Sequence, residues 1–131
     1  MKLEYRNGLL FASIDIVFRG RQLTVQDVII DTGAVQTILS ADAVEALHIR
    51  PEAQDEIVIM RGIGGKEHSL RKRMDLVRFD EYECAKLPLD FGRLDATGIN
   101  GLIGLDILAG GEFLIDIGGR MVYPRTKLGL A

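Results

Sequence analysis

The sequence is poor in the residues that build disulfides and metal sites. It has one cysteine, two histidines and no tryptophan among its 131 residues. The lone Cys84 excludes an internal disulfide and is typical of a reducing compartment, so we expect a cytoplasmic protein. Because His48 and His68 are far apart in the sequence and no second cysteine exists, we predict no metal and no cofactor.

Basic charge and long apolar runs are also scarce. The formal net charge is −3, and the one basic run, Arg71-Lys72-Arg73, is typical of the solvated face of a strand, so no nucleic-acid partner is expected. No apolar run approaches the ~18 residues that cross a bilayer, and residues 1–4 do not open a signal peptide. We therefore expect no membrane contact within this chain.

Glycine and apolar residues, by contrast, are plentiful. Hydrophobic residues make up 47% of the chain and charged residues 27%, an ordinary composition for a folded globular protein. Fifteen glycines indicate many tight turns and a mostly β design. A length of 131 residues fits one hydrophobic core, so we predict a single domain over residues 1–131.

The chain is organised around the stretch Asp31-Thr32-Gly33-Ala34. The apolar, β-branched residues within 25–30 precede it and predict a strand that is buried on at least one face. Asp31 then lies at the strand end, beside a hydroxyl and a glycine that lets other backbone groups approach. An aspartate in such a place is, taken alone, most often a turn former or a helix cap.

Turn residues divide the first part of the chain into hairpins. Asn7-Gly8 predicts a type I′ turn between strands at 3–6 and 9–18, and Arg19-Gly20-Arg21 turns the chain again. Ser40 is a good N-cap for a helix over residues 41–47.

The middle of the chain predicts a hairpin with a glycine-rich tip. Residues 57–60 and 69–79 are expected to form two strands around the tip at 61–66, which its glycines make mobile. Residues 87–89 contain a proline and are expected to be an extended edge segment at best.

The last part of the chain repeats a strand-then-turn pattern. Leu102-Ile103 is predicted as a short buried strand, and Gly104 permits a close approach of backbones. A helical turn is expected to start at Leu105 and to end at Gly110-Gly111, followed by a final hairpin about Gly118-Gly119.

Three of these motifs occur together in a known order. The Asp31-Thr32-Gly33-Ala34 turn, the tip Gly62-Ile63-Gly64-Gly65 and the late Leu102-Ile103-Gly104 resemble the motifs of retropepsin-like aspartic proteases. The flanks Thr37-x-Leu39-Ser40 and Gly101 to Asp106 resemble the non-viral, single-domain branch of that family. The resemblance spans about residues 9–123.

The resemblance implies a fold, a partner and a set of site residues. The fold is all-β, a retropepsin-like closed β-barrel that forms one half of an acid protease, with one or two short helices. One monomer carries half a site, so a homodimer and a peptide or protein substrate are implied, and the Thr32 hydroxyls grip the opposite turn. The implied catalytic residues are Asp31, Thr32 and Gly33; the implied flap is Gly62, Ile63, Gly64 and Gly65; the implied supports are Ala34, Leu102, Ile103 and Gly104.

Two positions depart from the retroviral pattern. Retroviral proteases commonly form an ion pair between an Asp just after the turn and an Arg just after the late glycine. The matching positions here are Val35 and Leu105. Since both changed from charged to apolar together, we predict that a hydrophobic contact replaces the ion pair.

Other chemistry-bearing residues have plainer interpretations. The second acidic triplet, Asp116-Ile117-Gly118, lacks the hydroxyl of Thr32 and is better explained as part of a hairpin turn. The remaining candidates are expected to be a helix cap or dipole partner (Asp106), a helix-end residue (His48), a solvated strand residue (His68), a turn former (Asn100) and a thiol without a base (Cys84).

Two functions follow from the sequence. The first is a homodimeric aspartic endopeptidase, in which one Asp31 from each protomer activates a shared water under the flap. The alternative is a catalytically silent module that binds peptides or dimerises through the same fold. The intact Asp31-Thr32-Gly33 triplet favours the enzyme.

Overall fold

The computed structural model describes residues 1–62 and 65–128, whose regular secondary structure is mostly β-strand. The strands are β1 Glu4–Arg6, β2 Leu9–Phe18, β3 Arg21–Ile30, β4 Ile38–Ser40, β5 Glu56–Gly62, β6 Gly65–Arg73, β7 Leu76–Phe79, β8 Tyr82–Ala85, β9 Pro88–Gly92, β10 Gly101–Ile103, β11 Phe113–Asp116 and β12 Met121–Pro124. One α-helix, α1, covers Leu105–Leu108, and 3-10 helices cover Glu45–Leu47 and Arg125–Leu128. The all-β prediction with short helices is confirmed. Within the described ranges, no helix is long and apolar enough to span a membrane.

The first two turns form as the sequence predicts. Asn7 and Gly8 have φ angles of 53° and 79°, and Arg6 pairs with Leu9 across the turn. Positive φ at both central residues is the mark of a type I′ turn, whose twist matches that of the strands it joins. Arg19 and Gly20 repeat this geometry between β2 and β3, with φ angles of 50° and 80°.

Ten strands pair into one curled sheet, in which β3 lies next to a short strand from late in the chain. The main path is β5-β6-β9-β4-β10-β3-β2-β7-β8, with β1 paired to β2. The pair β10–β3 is parallel, β10–β4 is antiparallel and β4–β9 is parallel. The prediction of a buried strand at Leu102-Ile103 is confirmed, because Ile103 in β10 is fully buried between β3 and β4.

The core lies against one face of this sheet. Along β2, core residues alternate with more exposed residues, as expected for a strand with one buried face. Its largest fully buried side chains are Phe79, Ile14, Ile16, Leu39, Met74, Leu89, Ile103 and Ile107. These residues come from five different strands, one connecting segment and α1, so burial links segments that are distant in sequence.

The helix predicted over residues 41–47 is wrong. Ser40 ends β4, its hydroxyl accepts a weak hydrogen bond from the Ala43 N–H at 3.4 Å, and only the 3-10 helix Glu45–Leu47 forms. Val44 and Leu47 are both buried, and a spacing of three residues places them on one side of a 3-10 helix. A segment this short has no intrinsic helical stability, so packing decides its geometry.

The single strand predicted over residues 69–79 is also wrong. The chain leaves β6 after Arg73. Buried Met74 and the hydrogen-bonded Asp75 then connect it to β7, which lies near the other end of the strand order. The Asp75 N–H donates to the Val17 carbonyl at 2.8 Å, and its carboxylate accepts from the Gly20 N–H at 3.1 Å.

The proline segment at 87–89 is not an edge. It opens β9, which lies between β6 and β4 in the interior of the sheet. Pro88 is the first residue of the strand, where its missing N–H disrupts least of the pairing. Leu89 and Phe91 point into the core, so β9 is as buried as any strand of the sheet.

The amino-terminal residues pair with β12, a strand from late in the chain. The predicted final hairpin forms between β11 and β12, and the amino-terminal residues lie along the other edge of β12. Lys2 bridges Met121, the Leu3 N–H donates to the Arg120 carbonyl at 2.8 Å, and the Val122 N–H donates to the Met1 carbonyl at 2.9 Å. This edge of β12 is therefore already occupied by its own chain.

Candidate functional site

Asp31 is delivered to the surface by the end of β3. Its N–H donates to the Ile103 carbonyl at 2.9 Å, which continues the parallel β3–β10 pairing by one residue beyond Ile30. Its side chain is half-buried, and its Oδ1 accepts a hydrogen bond from the Gly33 N–H at 2.9 Å. The carboxylate is therefore oriented by its own turn while it remains accessible.

Gly33 leaves room for this carboxylate. A Cβ placed at Gly33 would lie 3.2 Å from Asp31 Oδ1, a distance tighter than ordinary van der Waals contact. The Ala34 N–H donates to the Asp31 carbonyl at 3.2 Å and closes the turn. Thr32 is exposed at its tip.

The turn is fastened to the start of α1. The Leu105 N–H donates to the Ala34 carbonyl at 2.8 Å, and the Asp106 N–H donates to the Val35 carbonyl at 3.2 Å. Gly104 makes this approach possible, because a Cβ there would lie only 2.7 Å from the Ala34 carbonyl oxygen. The predicted close backbone approach at Gly104 is confirmed.

A buried hydrogen-bond network between Thr37 and Asp106 supports the same turn. The fully buried Thr37 donates its N–H to Asp106 Oδ2 at 3.0 Å and its hydroxyl to Asp106 Oδ1 at 2.7 Å. The Thr37 hydroxyl in turn accepts the Gly104 N–H at 3.0 Å. Asp106 also accepts the Ile107 N–H at 2.9 Å, so the predicted role at the helix start covers only part of what it does. Thr37 lies in the motif that begins at Asp31 and Asp106 lies in the late motif, but the sequence does not show that their side chains form hydrogen bonds with each other.

The predicted contact between Val35 and Leu105 does not bury either side chain. Their backbones are adjacent, but the Val35 side chain is 80% exposed and that of Leu105 is 42% exposed. Together with Thr32 they form a small exposed patch next to Asp31, here called the turn patch. The hydrophobic effect scales with the apolar area removed from water, so Val35 gains little from it within one chain and Leu105 only part of what full burial would give.

The glycine-rich hairpin extends from the sheet edge as β5 and β6. The strands pair from Glu56↔Arg71 as far as Gly62↔Gly65. Ile63 and Gly64, two of the four predicted flap residues, lie outside the described residues.

The other candidate residues have local roles. Asp116 Oδ1 accepts the Gly119 N–H at 2.8 Å in the β11–β12 turn, which agrees with its interpretation as a turn residue. Asn100 lies outside the turn at Thr97-Gly98 and instead contacts β3, since its N–H donates to the Asp27 carbonyl at 2.8 Å and its side-chain amide donates to the Gln26 carbonyl at 3.0 Å. His48 ends the first 3-10 helix, His68 is exposed on β6, and Cys84 is half-buried on β8.

A charged cluster and a cavity lie beyond the Asp31 turn, around the part of β6 that carries Arg71 and Lys72. Lys72 is 5% exposed and donates to Glu52 at 2.5 Å and to Asp55 at 2.8 Å. These hydrogen bonds, with Arg19 as a second partner of Glu52, lower the pKa of both carboxyls. A neighbouring cavity of about 620 Å³ is lined by Lys72, Arg71 and Phe18 among others, and does not include the Asp31 turn.

Within residues 1–62 and 65–128, no group of three or more His, Cys, Asp or Glu side chains could hold a metal ion. The residues around Asp31 thus provide one oriented carboxylate, a hydroxyl and backbone hydrogen-bonding groups. Such a set fits proton transfer to and from a water molecule.

Comparison with known protein families gives one match. Residues 14–107 match the model of the family described as aspartyl protease. This segment contains the Asp31 turn, the glycine-rich hairpin and the Thr37–Asp106 network. The search of curated proteins found no match to this chain.

Proposed function

The chain belongs to the aspartyl protease family, of the retropepsin-like kind, and on that premise we propose that it is an endopeptidase that works as a homodimer. The family supports an aspartic peptidase in general. The observation that carries the finer proposal is that one chain provides a single oriented aspartate, Asp31, in an exposed turn.

The chemistry of this proposal needs two carboxyl groups and one water. The ionised carboxyl takes a proton from the attacking water, while the protonated carboxyl donates a proton to the carbonyl oxygen of the peptide bond. Two carboxyls at ~3 Å cannot both ionise readily, so the pair shares one proton over a wide pH range. Asp31 is the member of the pair that this chain contributes.

The second carboxyl is proposed to be the Asp31 of a second copy. Asp116, the other candidate in the chain, lies in the separate β11–β12 hairpin rather than in the sheet that carries Asp31. In a twofold dimer the same residue of both copies meets at the axis, so an exposed turn that carries Asp31 can supply both carboxyls. The turn patch then becomes buried: Val35 and Leu105 pack across the interface, and Thr32 reaches the opposite turn.

Substrate binding is proposed to involve the glycine-rich hairpin. An extended peptide would lie between this hairpin and the Asp31 pair and would bind largely through its main chain. Closure of Gly62, Ile63, Gly64 and Gly65 over the peptide would exclude water from the site. A reducing, cytoplasmic location remains a prediction from the single cysteine.

The first experiment removes the proposed catalytic carboxyl. Asp31→Asn is expected to abolish cleavage of a mixed peptide library while the circular dichroism spectrum and the light-scattering mass stay unchanged, because the amide oxygen still accepts the Gly33 N–H. Asp116→Asn is the matched control and is expected to cleave normally. Cleavage by a pure Asp31→Asn dimer would contradict the proposal, and no cleavage by a wild-type dimer would favour the silent binding module.

The second experiment addresses the interface. Val35→Asp places a charge in the turn patch twice per dimer, so we expect the dimer dissociation constant to rise at least tenfold, with unfolding unchanged. Ile57→Asp, at a position 55% exposed on β5, is the control and should leave the dissociation constant unchanged. Sedimentation equilibrium measures both. Equal effects of the two substitutions would place the interface elsewhere.

A further inference from the structure

One face of the sheet carries a row of residues that begins beside Asp31. Residues that pair directly across strands point to the same face, and so do residues two apart along a strand. Ile29 pairs with Leu102, Leu102 with Ile38, and Ile38 with Asp90. Asp31 follows Ile29 by two residues and therefore points to the same face as Ile29. Asp90, which is linked to Ile29 through these pairs, lies on that face too. The opposite face, with Ile103 and Leu39, is the core.

Asp90 lies within the reach of a peptide bound over Asp31. Three strand spacings separate β3 from β9, which amounts to ~14 Å along the sheet. An extended peptide covers that distance in about four residues, at ~3.4 Å per residue. The Gln36 side-chain amide also donates to the Pro88 carbonyl at 2.8 Å, which ties the turn of Asp31 to the start of β9.

Asp90 is nearly inaccessible and is covered by an arginine. Its side chain is 3% exposed, and Arg71 on β6 binds both its oxygens, with Nε to Oδ1 at 2.8 Å and Nη2 to Oδ2 at 3.1 Å. This paired geometry fixes the guanidinium plane. The Arg71 side chain is 30% exposed, so one edge of a rigidly held cation faces the solvent on the same face as Asp31.

Arg71 retains hydrogen-bonding capacity on that outer edge. A guanidinium has five N–H donors, and the contacts described use three of them: two for Asp90 and one, at Nη1, for Glu56 at 3.0 Å. Glu56 is 65% exposed, so this outer ion pair is weak and a competing carboxylate can replace it at little cost.

From this arrangement we propose that Arg71, held by Asp90, is a specificity residue that binds an acidic side chain of the peptide substrate, three or four residues from the bond that is cut. The proposal rests on the proposed function, since it needs a peptide lying over Asp31. An aspartate or glutamate of the substrate would bind the outer Nη1–Nη2 edge and displace Glu56 into solvent. Because a twofold dimer has two copies of Arg71, the preference applies on both sides of the cut bond.

The charges around this subsite favour an acid over a base. Asp90 neutralises Arg71 but is buried beneath it, and a ligand in solvent meets the guanidinium edge rather than the buried carboxylate. Arg73, two residues further along β6, is exposed and lies on the same face. Among the described side chains next to Arg71, Glu56 is the exposed carboxylate that a lysine in the ligand would pair with, and such an exposed pair is the weaker type of contact.

The experiment reads the preference from the products. A random twelve-residue peptide library is digested with the purified protein, and mass spectrometry counts Asp and Glu against Asn and Gln at each distance from the cut. We expect an enrichment of about tenfold at the third or fourth residue on both sides, as a partly exposed charge-assisted hydrogen bond gives. No enrichment, or a preference for Lys and Arg, would overturn the proposal.

Two variants separate this role from a structural one. Arg71→Gln with Asp90→Asn keeps a hydrogen-bonded neutral pair, so the double variant should keep the wild-type circular dichroism spectrum and lose the acidic preference among the bonds that it cuts. Glu56→Gln removes only the competitor and should keep or strengthen the preference. If the double variant keeps the wild-type preference, Arg71 does not bind the acidic side chain of the substrate.

The result can be distinguished from a failure of the proposed function. If the wild type cleaves nothing, the endopeptidase proposal fails, and the same library is then captured on immobilised Asp31→Asn protein. The subsite would still be supported if Asp31→Asn captures peptides enriched in acidic residues and the enrichment disappears when Arg71→Gln and Asp90→Asn are added to that variant. Capture without any such enrichment would overturn it.

Discussion

Removal of the Asp106 carboxylate should loosen the turn that carries Asp31. In Asp106→Ala, the buried Thr37 loses the acceptor of its N–H, at 3.0 Å, and the acceptor of its hydroxyl, at 2.7 Å. A buried donor left without a partner costs ~1–3 kcal/mol, and the second lost bond to a charged group brings the total to about 3 kcal/mol. With a urea m-value of ~2 kcal/mol/M for a domain of this size, the unfolding midpoint should fall by about 1.5 M.

The assay is urea unfolding followed by circular dichroism, with peptide cleavage measured on the same samples. Asp106→Asn retains one acceptor oxygen and should lose about half as much stability. Asp42→Ala, in an exposed turn, is the control and should change the midpoint by less than about 0.3 M. If Asp106→Ala unfolds like this control, the network contributes nothing to the turn and the reasoning is refuted.

Two further predictions address stability away from the site. The pKa values of Glu52 and Asp55 are lowered by hydrogen bonds from Lys72, so the cluster should stabilise the fold above the ordinary pKa values of these acids and stop doing so as pH falls through the lowered values. The urea midpoint of the wild type should therefore fall more between pH 6 and pH 3 than that of Lys72→Met, and parallel pH profiles would contradict this. Gly101→Ala should strongly lower the melting temperature, because its Cβ would lie 2.6 Å from a backbone carbonyl oxygen of β4. Gly118→Ala is the control and should have a mild effect, since the nearest atom to its Cβ would be 3.8 Å away. Equal melting temperatures of the two variants would refute the clash.

The parts of the fold that depend on local chemistry could be predicted from the sequence. Asn7-Gly8 specifies its turn through backbone angles that few residues adopt, and the run before Asp31 specifies a strand through alternation and branching. The predictions failed where distant contacts decide. Pro88 is typical of an edge strand, yet β9 is flanked by β6 and β4, which both precede it in the sequence by many residues.

The candidate site divides in the same way. The position of Asp31 at a strand end follows from adjacent residues, and the need for Gly104 follows from a motif. The pairing of Thr37 with Asp106, 69 residues apart, could not be predicted, because single-sequence spacing does not report which polar groups share a buried volume. The exposure of Val35 was missed for a related reason: an apolar residue in a loop is compatible with burial or with exposure until the neighbouring elements are known.

The hydrogen bonds of the Asp31 turn bear on how a dimer would be built. Contacts to its own chain hold its backbone: Asp31 to Ile103, Ala34 to Leu105 and Val35 to the start of α1. A turn preformed in this way loses little conformational entropy when a second copy binds. Most of the free energy gained by burying the turn patch therefore contributes to the affinity of the two copies for each other. It also follows that dissociation leaves each protomer folded, with its carboxylate in place but without the partner that shares the proton. Catalysis should then depend on protein concentration even where folding does not.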